Sequence, residues 1–221
     1  MNISKPILID WDTIQTVFLD MDGTLLDLHF DNYFWLEHMP HRYAEHYQIP
    51  INEAKQKLSK LSKQYAGQLE WYCIDHWSSL LGMDIIELKH QVADKIKLRQ
   101  DVEKFLTKLN NLACDVVLLT NAHRKTVELK FSYTPLAPYF DHVICSHDIH
   151  IAKEQTGFWE MLQKHHSFEP ATSLFIDDNY DVLDCAQAYG ITHLFAIAQP
   201  DSQQPASLHP HFETIQSFSQ L

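Results

Sequence analysis

The residues of this chain best suited to do chemistry are Asp20 and Asp22, in the run Asp20-Met21-Asp22-Gly23-Thr24 that directly follows the apolar stretch Val17-Phe18-Leu19. An apolar run with β-branched and aromatic content reads as a buried strand, and Gly23 ends it in a turn. Two carboxylates spaced i, i+2 then project from the strand's carboxyl end, where open α/β sheets keep their chemistry. Acids placed so point to the same side of a sheet and repel unless a cation or a shared proton intervenes, so the arrangement asks for a metal. One carboxylate can attack as a nucleophile while the other protonates a leaving alkoxide and later takes a proton from water. Thr24 and the amides around Gly23 can hydrogen-bond an anion. An exposed Asp-Gly turn with a capping Asp would carry the same letters, so the reading needs support from elsewhere in the chain.

Three further segments supply it. The apolar run Val116-Val117-Leu118-Leu119 ends in Thr120-Asn121 before a helix, which brings a hydroxyl, a side-chain amide and free helix amides to the same sheet edge as Asp20, a phosphate cradle without a Gly-rich loop. Lys153 lies in a loop ahead of another helix, and the strand Leu174-Phe175-Ile176 ends in Asp177-Asp178. If Asp20, Asp22 and Asp178 converge, repulsion between a pair at about 4 Å is on the order of 4 kcal/mol at an effective dielectric of about 20. A divalent cation and the Lys153 ammonium would remove that penalty. Oxygen-only ligation completed by a substrate phosphate favours Mg²⁺ over zinc.

The elements that position these residues follow from periodicity. From about Phe30 to Leu98 the pattern is helical without strand signals, with helices expected over Ile51 to Tyr65, Leu69 to Leu81 and Ile85 to Leu98. This reads as an inserted all-α cap subdomain, residues 29–98, in an α/β core made of residues 1–28 and 99–221. Past Asp101 helix and strand alternate: a helix with Val102, Phe105, Leu106 and Leu109 on one face, the strand ending at Thr120, and a helix from about His123 to Phe131. There follow the strand Val143 to Cys145, a helix over Phe158 to His165, the strand ending at Asp177, a helix over Tyr180 to Tyr189 closed by Gly190, and the strand Leu194 to Ile197. Such βα alternation predicts a doubly wound, largely parallel, Rossmann-like sheet. The tail carries a short expected helix near Phe212 to Phe218.

Composition narrows the function classes. A chain of 221 residues buries a full core without staples. Its four cysteines, Cys73, Cys114, Cys145 and Cys185, form no CxxC pair, as expected of reduced thiols in a cytoplasmic protein. Residues Met1 to Ile14 are broken by Lys5, Pro6, Asp10 and Asp12, so no signal-peptide run is expected there, and no segment reaches the length of a membrane span. A net charge of −12 argues against a partner that is a nucleic-acid polymer, yet leaves room for a small phosphorylated metabolite held at a local electropositive site.

Taken in order, Asp20-Met21-Asp22-Gly23-Thr24, Thr120-Asn121, Lys153 and Asp177-Asp178 resemble the four motifs of the haloacid-dehalogenase superfamily, over nearly the whole chain. The helical insert looks like the cap that superfamily inserts after its first strand. The resemblance implies that Asp20 accepts the phosphoryl group as an aspartyl-phosphate, and that Asp22 is general acid and base while offering its carbonyl to Mg²⁺. Thr120 and Asn121 would hold phosphate oxygens, Lys153 would bridge the nucleophile and the phosphoryl charge, and Asp178 would ligate the metal with Asp177 in support. Around the lysine the chain departs from the pattern, reading His150-Ile151-Ala152-Lys153-Glu154 where many relatives have Gly before and Pro after it. Asp22 also selects the reaction, because a leaving alkoxide needs a proton and a leaving halide does not.

The stretches Asp27 to Trp35 and Leu69 to Trp77, with Leu25-Leu26-Asp27-Leu28 and Thr120-Asn121-Ala122-His123, look similar to the bacterial GMP/IMP 5'-nucleotidase branch of that superfamily. On that resemblance the expected substrate is a purine nucleoside monophosphate. The cap aromatics could stack its base, with Asn32 or Asp31 reading the edge, or form the cap's own core. A sugar-phosphate or phosphoglycolate-type phosphatase and a phosphomutase share the same motifs. A silent binding scaffold is disfavoured, since crowded carboxylates without a use cost stability. The fifteen histidines, including His147, His150, His165-His166 and His209-Pro210-His211, are expected to be surface residues with local hydrogen bonds.

Overall fold

The computed structural model describes residues 6–221; residues 1–5, which open both the expected core segment and the expected leaderless stretch, lie outside them. Six strands form one sheet: β1 (Thr16–Leu19), β2 (Asp115–Thr120), β3 (His142–Cys145), β4 (Ser173–Asp177), β5 (His193–Ile197) and β6 (Glu213–Ile215), in the order β3-β2-β1-β4-β5-β6 with every pairing parallel. The chain winds from β1 outward through β2 to β3, then returns to β4 on the other side of β1. The switch in winding direction therefore falls between β1 and β4, where doubly wound sheets open a crevice at their carboxyl ends.

Because successive strand residues face opposite sides, the apolar runs build two cores. Val17, Leu19, Val116, Leu118, Leu174 and Ile176 belong to one, and Phe18, Val117, Leu119, Ile144 and Phe175 to the other. Both faces are covered by helices, which is why β1 is a run of buried residues rather than an alternating one.

Between β1 and β2 lie α1 (His29–Tyr33), a π-turn (Phe34–His38), α2 (Met39–Tyr47), α3 (Ile51–Tyr65), α4 (Leu69–Tyr72), α5 (Ile74–Leu81) and α6 (Ile85–His90), followed in the core by α7 (Val102–Leu109). The insert leaves and rejoins through a two-stranded neck: Asp27 N–H donates to Lys97 O at 2.9 Å and Arg99 N–H to Leu25 O at 3.0 Å. After β2 come α8 (Arg124–Ser132), α9 (Ser146–Ile149), α10 (Phe158–His165) and α11 (Tyr180–Tyr189), the last closed at Gly190. No helix among the described residues is long and apolar enough to cross a membrane, and all four cysteines are free thiols.

Several expectations are corrected. The helix expected over Leu69 to Leu81 breaks at Cys73, which takes an extended backbone and caps α5 by accepting the His76 N–H on Sγ. The helix expected over Ile85 to Leu98 stops at His90 and resumes only as a 3₁₀ turn, Ala93–Lys95. Ser146 to Ile149 forms a short helix where none is expected between Cys145 and Phe158. The tail expected as a helix is edge strand β6 with a 3₁₀ turn, Phe218–Gln220. Phe212, Ile215 and Phe218 are spaced as on a helix face, but Phe212 packs in the second core and the other two in the first, on opposite sides of the sheet.

Candidate active site

Asp20 leaves the end of β1 with its N–H donating to Ile176 O at 3.0 Å, so the backbone of β4 fixes where its carboxylate starts. Asp177 closes β4 and Asp178 follows it. Carboxylate oxygens of Asp20, Asp177 and Asp178 lie within 4.8 Å of one another at the crevice between the two strands. Lys153 reaches in from the loop before α10. Its Nζ donates to Asp20 Oδ1 at 2.6 Å, to Asp177 Oδ2 at 2.6 Å and to Leu119 O at 3.1 Å. A lysine only 2 % exposed and holding two acids is no surface charge; the flanking residues differ from the common pattern, yet the ammonium arrives.

One ammonium does not balance three carboxylates. Burial, offset in part by Lys153, pushes the Asp20 carboxyl up to about 6. Burial and then the charges of Asp177 and Asp20 raise Asp178 well above the carboxylate range. Burial lowers the proton affinity of Lys153, but Asp177 and Asp20 outweigh it and the group is shifted up, so it stays charged. A site that suppresses ionisation of its own acids is short of positive charge. Its donors are oxygens only, which fits a hard divalent cation such as Mg²⁺.

Gly23 is required by geometry here. Its φ is +85°, in the left-handed region, and a Cβ on it would stand 2.3 Å from Asp178 Oδ2. The turn is closed by Gly23 N–H to Leu26 O at 2.8 Å and Leu26 N–H to Met21 O at 2.8 Å. It carries Asp22 away from the three acids and onto Lys130 of α8, whose ammonium also donates to Asp31 of α1 at 2.6 Å. Asp31 is held in turn by Lys89 at 2.7 Å. Burial raises Asp22 to about 6 against the opposing pull of Lys130. Burial would raise Asp31 too, but Lys130 and Lys89 overcome it and hold the carboxyl far below its usual range. Lys130 and Lys89 have no counterpart in the sequence reading. The available signal for Lys130 was its place in α8 three residues after buried Val127, on the inward face.

The expected phosphate residues divide. The Thr120 hydroxyl accepts the Ala122 N–H at 3.0 Å and keeps its proton for another acceptor. The Asn121 amide is engaged at both ends: Oδ1 accepts from the Ser146 hydroxyl and, at 2.9 Å, from the Lys153 N–H, while Nδ2 donates to Glu154 Oε2 at 2.8 Å. Asn121 thus shapes the loop that delivers Lys153. Asp177 is occupied as well, with Oδ2 on Lys153 and Oδ1 accepting the Asn179 N–H at 2.8 Å. Thr24 Oγ1 is buried without a partner. In the insert both expected base-reading groups are taken, Asp31 by the two lysines and Asn32 by Asp201 at 2.7 Å. The buried aromatics Phe30, Phe34 and Trp77 pack within the insert, where the Lys89 ammonium lies 4.7 Å from the Phe34 ring centroid. Tyr72 at the end of α4 bridges insert and core by donating to Glu154 Oε1 at 2.8 Å.

The comparisons agree with this geometry. A family model described as haloacid dehalogenase-like hydrolase matches residues 14–190, which contain all four motif segments. The chain belongs to the haloacid dehalogenase-like hydrolases. Within that family it is 35 % identical over 194 residues to the GMP/IMP nucleotidase YrfG of Escherichia coli K12, covering 88 % of this chain and 87 % of that one. Among solved folds it matches a Thermococcus onnurineus HAD phosphatase with a TM-score of 0.78 at 18 % identity, over 93 % of this chain and 95 % of that chain. It also matches the Bacillus subtilis HAD-hydrolase YfnB, solved bound to magnesium, with a TM-score of 0.65 at 17 % identity, over 93 % and 96 % of the two chains. This member of the family is a hydrolase with a Rossmann-like core.

Proposed function

We propose that the protein is a cytoplasmic, Mg²⁺-dependent phosphomonoester hydrolase that works through an aspartyl-phosphate on Asp20, and that its substrates are purine nucleoside monophosphates such as GMP and IMP. The observation that carries the phosphatase reading is the Lys153 bridge between Asp20 and Asp177 beside an under-compensated Asp178. The purine preference rests on the likeness to the E. coli nucleotidase. Residues 29–98 serve in this reading as the cap over a core of residues 1–28 and 99–221.

The residues divide the work. Asp20 attacks phosphorus with the oxygen not held by Lys153, and the ammonium draws charge from the equatorial phosphoryl oxygens. Asp22, raised to about 6, sits near the working pH, where it can protonate the leaving 5'-oxygen and then take a proton from the attacking water. The Thr120 hydroxyl donates to a phosphoryl oxygen. Asn121 and Asp177 position Lys153. Asp20, Asp178 and the Asp22 main-chain carbonyl would hold Mg²⁺, which would supply charge neutralisation to the transferring group.

A panel of phosphate esters, assayed with Mg²⁺ and with chelator, tests the proposal. GMP and IMP are expected to be hydrolysed fastest, and only with the cation. Sugar phosphates or phosphoglycolate turned over far faster than both nucleotides would refute the substrate, and an Asp20→Asn protein with full activity on an aryl phosphate would refute the covalent route.

A further inference from the structure

At the other end of the sheet, the start of β2 and the start of β3 carry Asp115 and His142. Their parallel register aligns His142 with Val117, two residues beyond Asp115, so both side chains stand on the face that holds Phe18. His166, just after α10, turns inward on that same face and packs edge-on against the Phe18 ring. It is 13 % exposed and not the surface residue expected of the His165-His166 pair. One ligand atom from each of the three residues lies within 4.8 Å of the others.

We propose that Asp115, His142 and His166 form a second metal site, selective for a borderline divalent ion of the zinc class and separate from the carboxylate crevice. A simple ion pair does not account for the arrangement. His166 Nε2 is 2.8 Å from Asp115 Oδ2, yet it is buried and makes no aligned hydrogen bond. His142 Nε2 faces the other carboxylate oxygen from 3.8 Å, too far for a hydrogen bond. The two imidazole centroids are 4.7 Å apart. Ligands bound at about 2.1 Å in a tetrahedron are separated by about 3.4 Å, so the two distances bracket what an ion between them requires. Two imidazoles and one carboxylate suit zinc, nickel or copper better than magnesium. His142 is about half exposed, which gives an ion access from solvent and leaves a position for water. An ion held there would tie β2, β3 and the end of α10 together. The strand β2 alone puts it about 17 Å from Thr120, at about 3.3 Å per residue over five residues.

Calorimetric titration of Zn²⁺ into the full chain, with excess Mg²⁺ filling the carboxylate crevice, tests the site. The wild type is expected to bind Zn²⁺, with His142→Gln and His166→Gln each weakening that binding by at least about tenfold, while Asp178→Asn leaves it unchanged. Cu²⁺ bound to the wild type should show hyperfine coupling to two imidazole nitrogens. Circular dichroism in chelator should match across the proteins. If one histidine variant fails to fold, Asp115→Asn replaces it. Equal Zn²⁺ affinity in wild type and histidine variants would overturn the proposal, as would Cu²⁺ spectra without nitrogen coupling or binding lost only in Asp178→Asn.

Discussion

Two glycines with nearly the same backbone separate strain from function. Gly23 has φ +85° and Gly67 has φ +75°, but a Cβ on Gly67 would meet nothing within 4 Å whereas one on Gly23 would lie 2.3 Å from Asp178 Oδ2. Forcing an alanine into the left-handed region costs about 1–2 kcal/mol at either position. For a chain of this size that lowers the melting temperature by about 2–8 °C. Gly67→Ala should show this loss and nothing more. In Gly23→Ala the methyl must push the Asp178 carboxylate aside by about 1 Å to reach ordinary contact, a displacement that in an enzyme site costs about 10²-fold in rate. Nucleotide hydrolysis across a Mg²⁺ titration, with melting curves with and without the ion, reads both effects. Gly23→Ala should lose about two orders of magnitude in rate and most of its Mg²⁺-induced stabilisation. Equal behaviour of the two variants, in either direction, refutes the placement of Asp178 against the turn as a functional contact.

Other outcomes follow from the same geometry. Lys130→Met removes the cation shared by Asp22 and Asp31 and should cost up to about 3 kcal/mol, because it leaves the largely buried Asp22 without its partner while Lys89 still holds Asp31. In it the limb of the pH–rate profile assigned to Asp22 should move above about 6; an unchanged profile means Lys130 does not tune that acid. His147 is depressed to about 4, by burial first and His123 next, so the folded chain takes up its proton later than the unfolded one. Stability is therefore intact above about pH 6.5 and falls as pH drops toward 4, by on the order of 1–2 kcal/mol after allowance for partial exposure. Wild type minus His147→Gln in urea unfolding between those pH values should show that slope, and parallel curves would remove His147 as its source. Mg²⁺ should raise the melting temperature of the wild type and do so less in Asp178→Asn; identical shifts would exclude Asp178 as a ligand.

The sequence shows those parts of the site that local chemistry dictates. Asp20, Asp177 and Asp178 end apolar strands, and a parallel sheet has only one edge where such ends meet, so their convergence follows from pattern alone. Lys153 stands out in the sequence only as a cation able to offset converging acids, and its specific role comes from the family resemblance, since nothing in a loop lysine says that it will be buried. Lys130 and Lys89 were missed because a lysine on an inward helix face is informative only once the acid facing it is known, and Asp31 is 99 residues from Lys130. The position of Asn121 beside Thr120 does not reveal that its amide bonds Ser146, Glu154 and the Lys153 backbone. The tail failed for a different reason. Phe212, Ile215 and Phe218 fit a helical period, and only the two separate cores they join show that the segment crosses the sheet edge.

The strand order also bears on how the chain emerges from the ribosome. β1 is made first yet ends as an interior strand, with β2 on one side and β4 on the other. During synthesis one of its hydrogen-bonding edges stays unsatisfied until Asp177 has been added, while Val17, Phe18 and Leu19 wait for cover. The helices of the insert, built from near-neighbour contacts, can form in that interval. A nascent polypeptide stalled before β4 would expose a sticky hydrophobic ribbon, so chaperone protection during translation is the expected consequence of β1 lying inside the sheet.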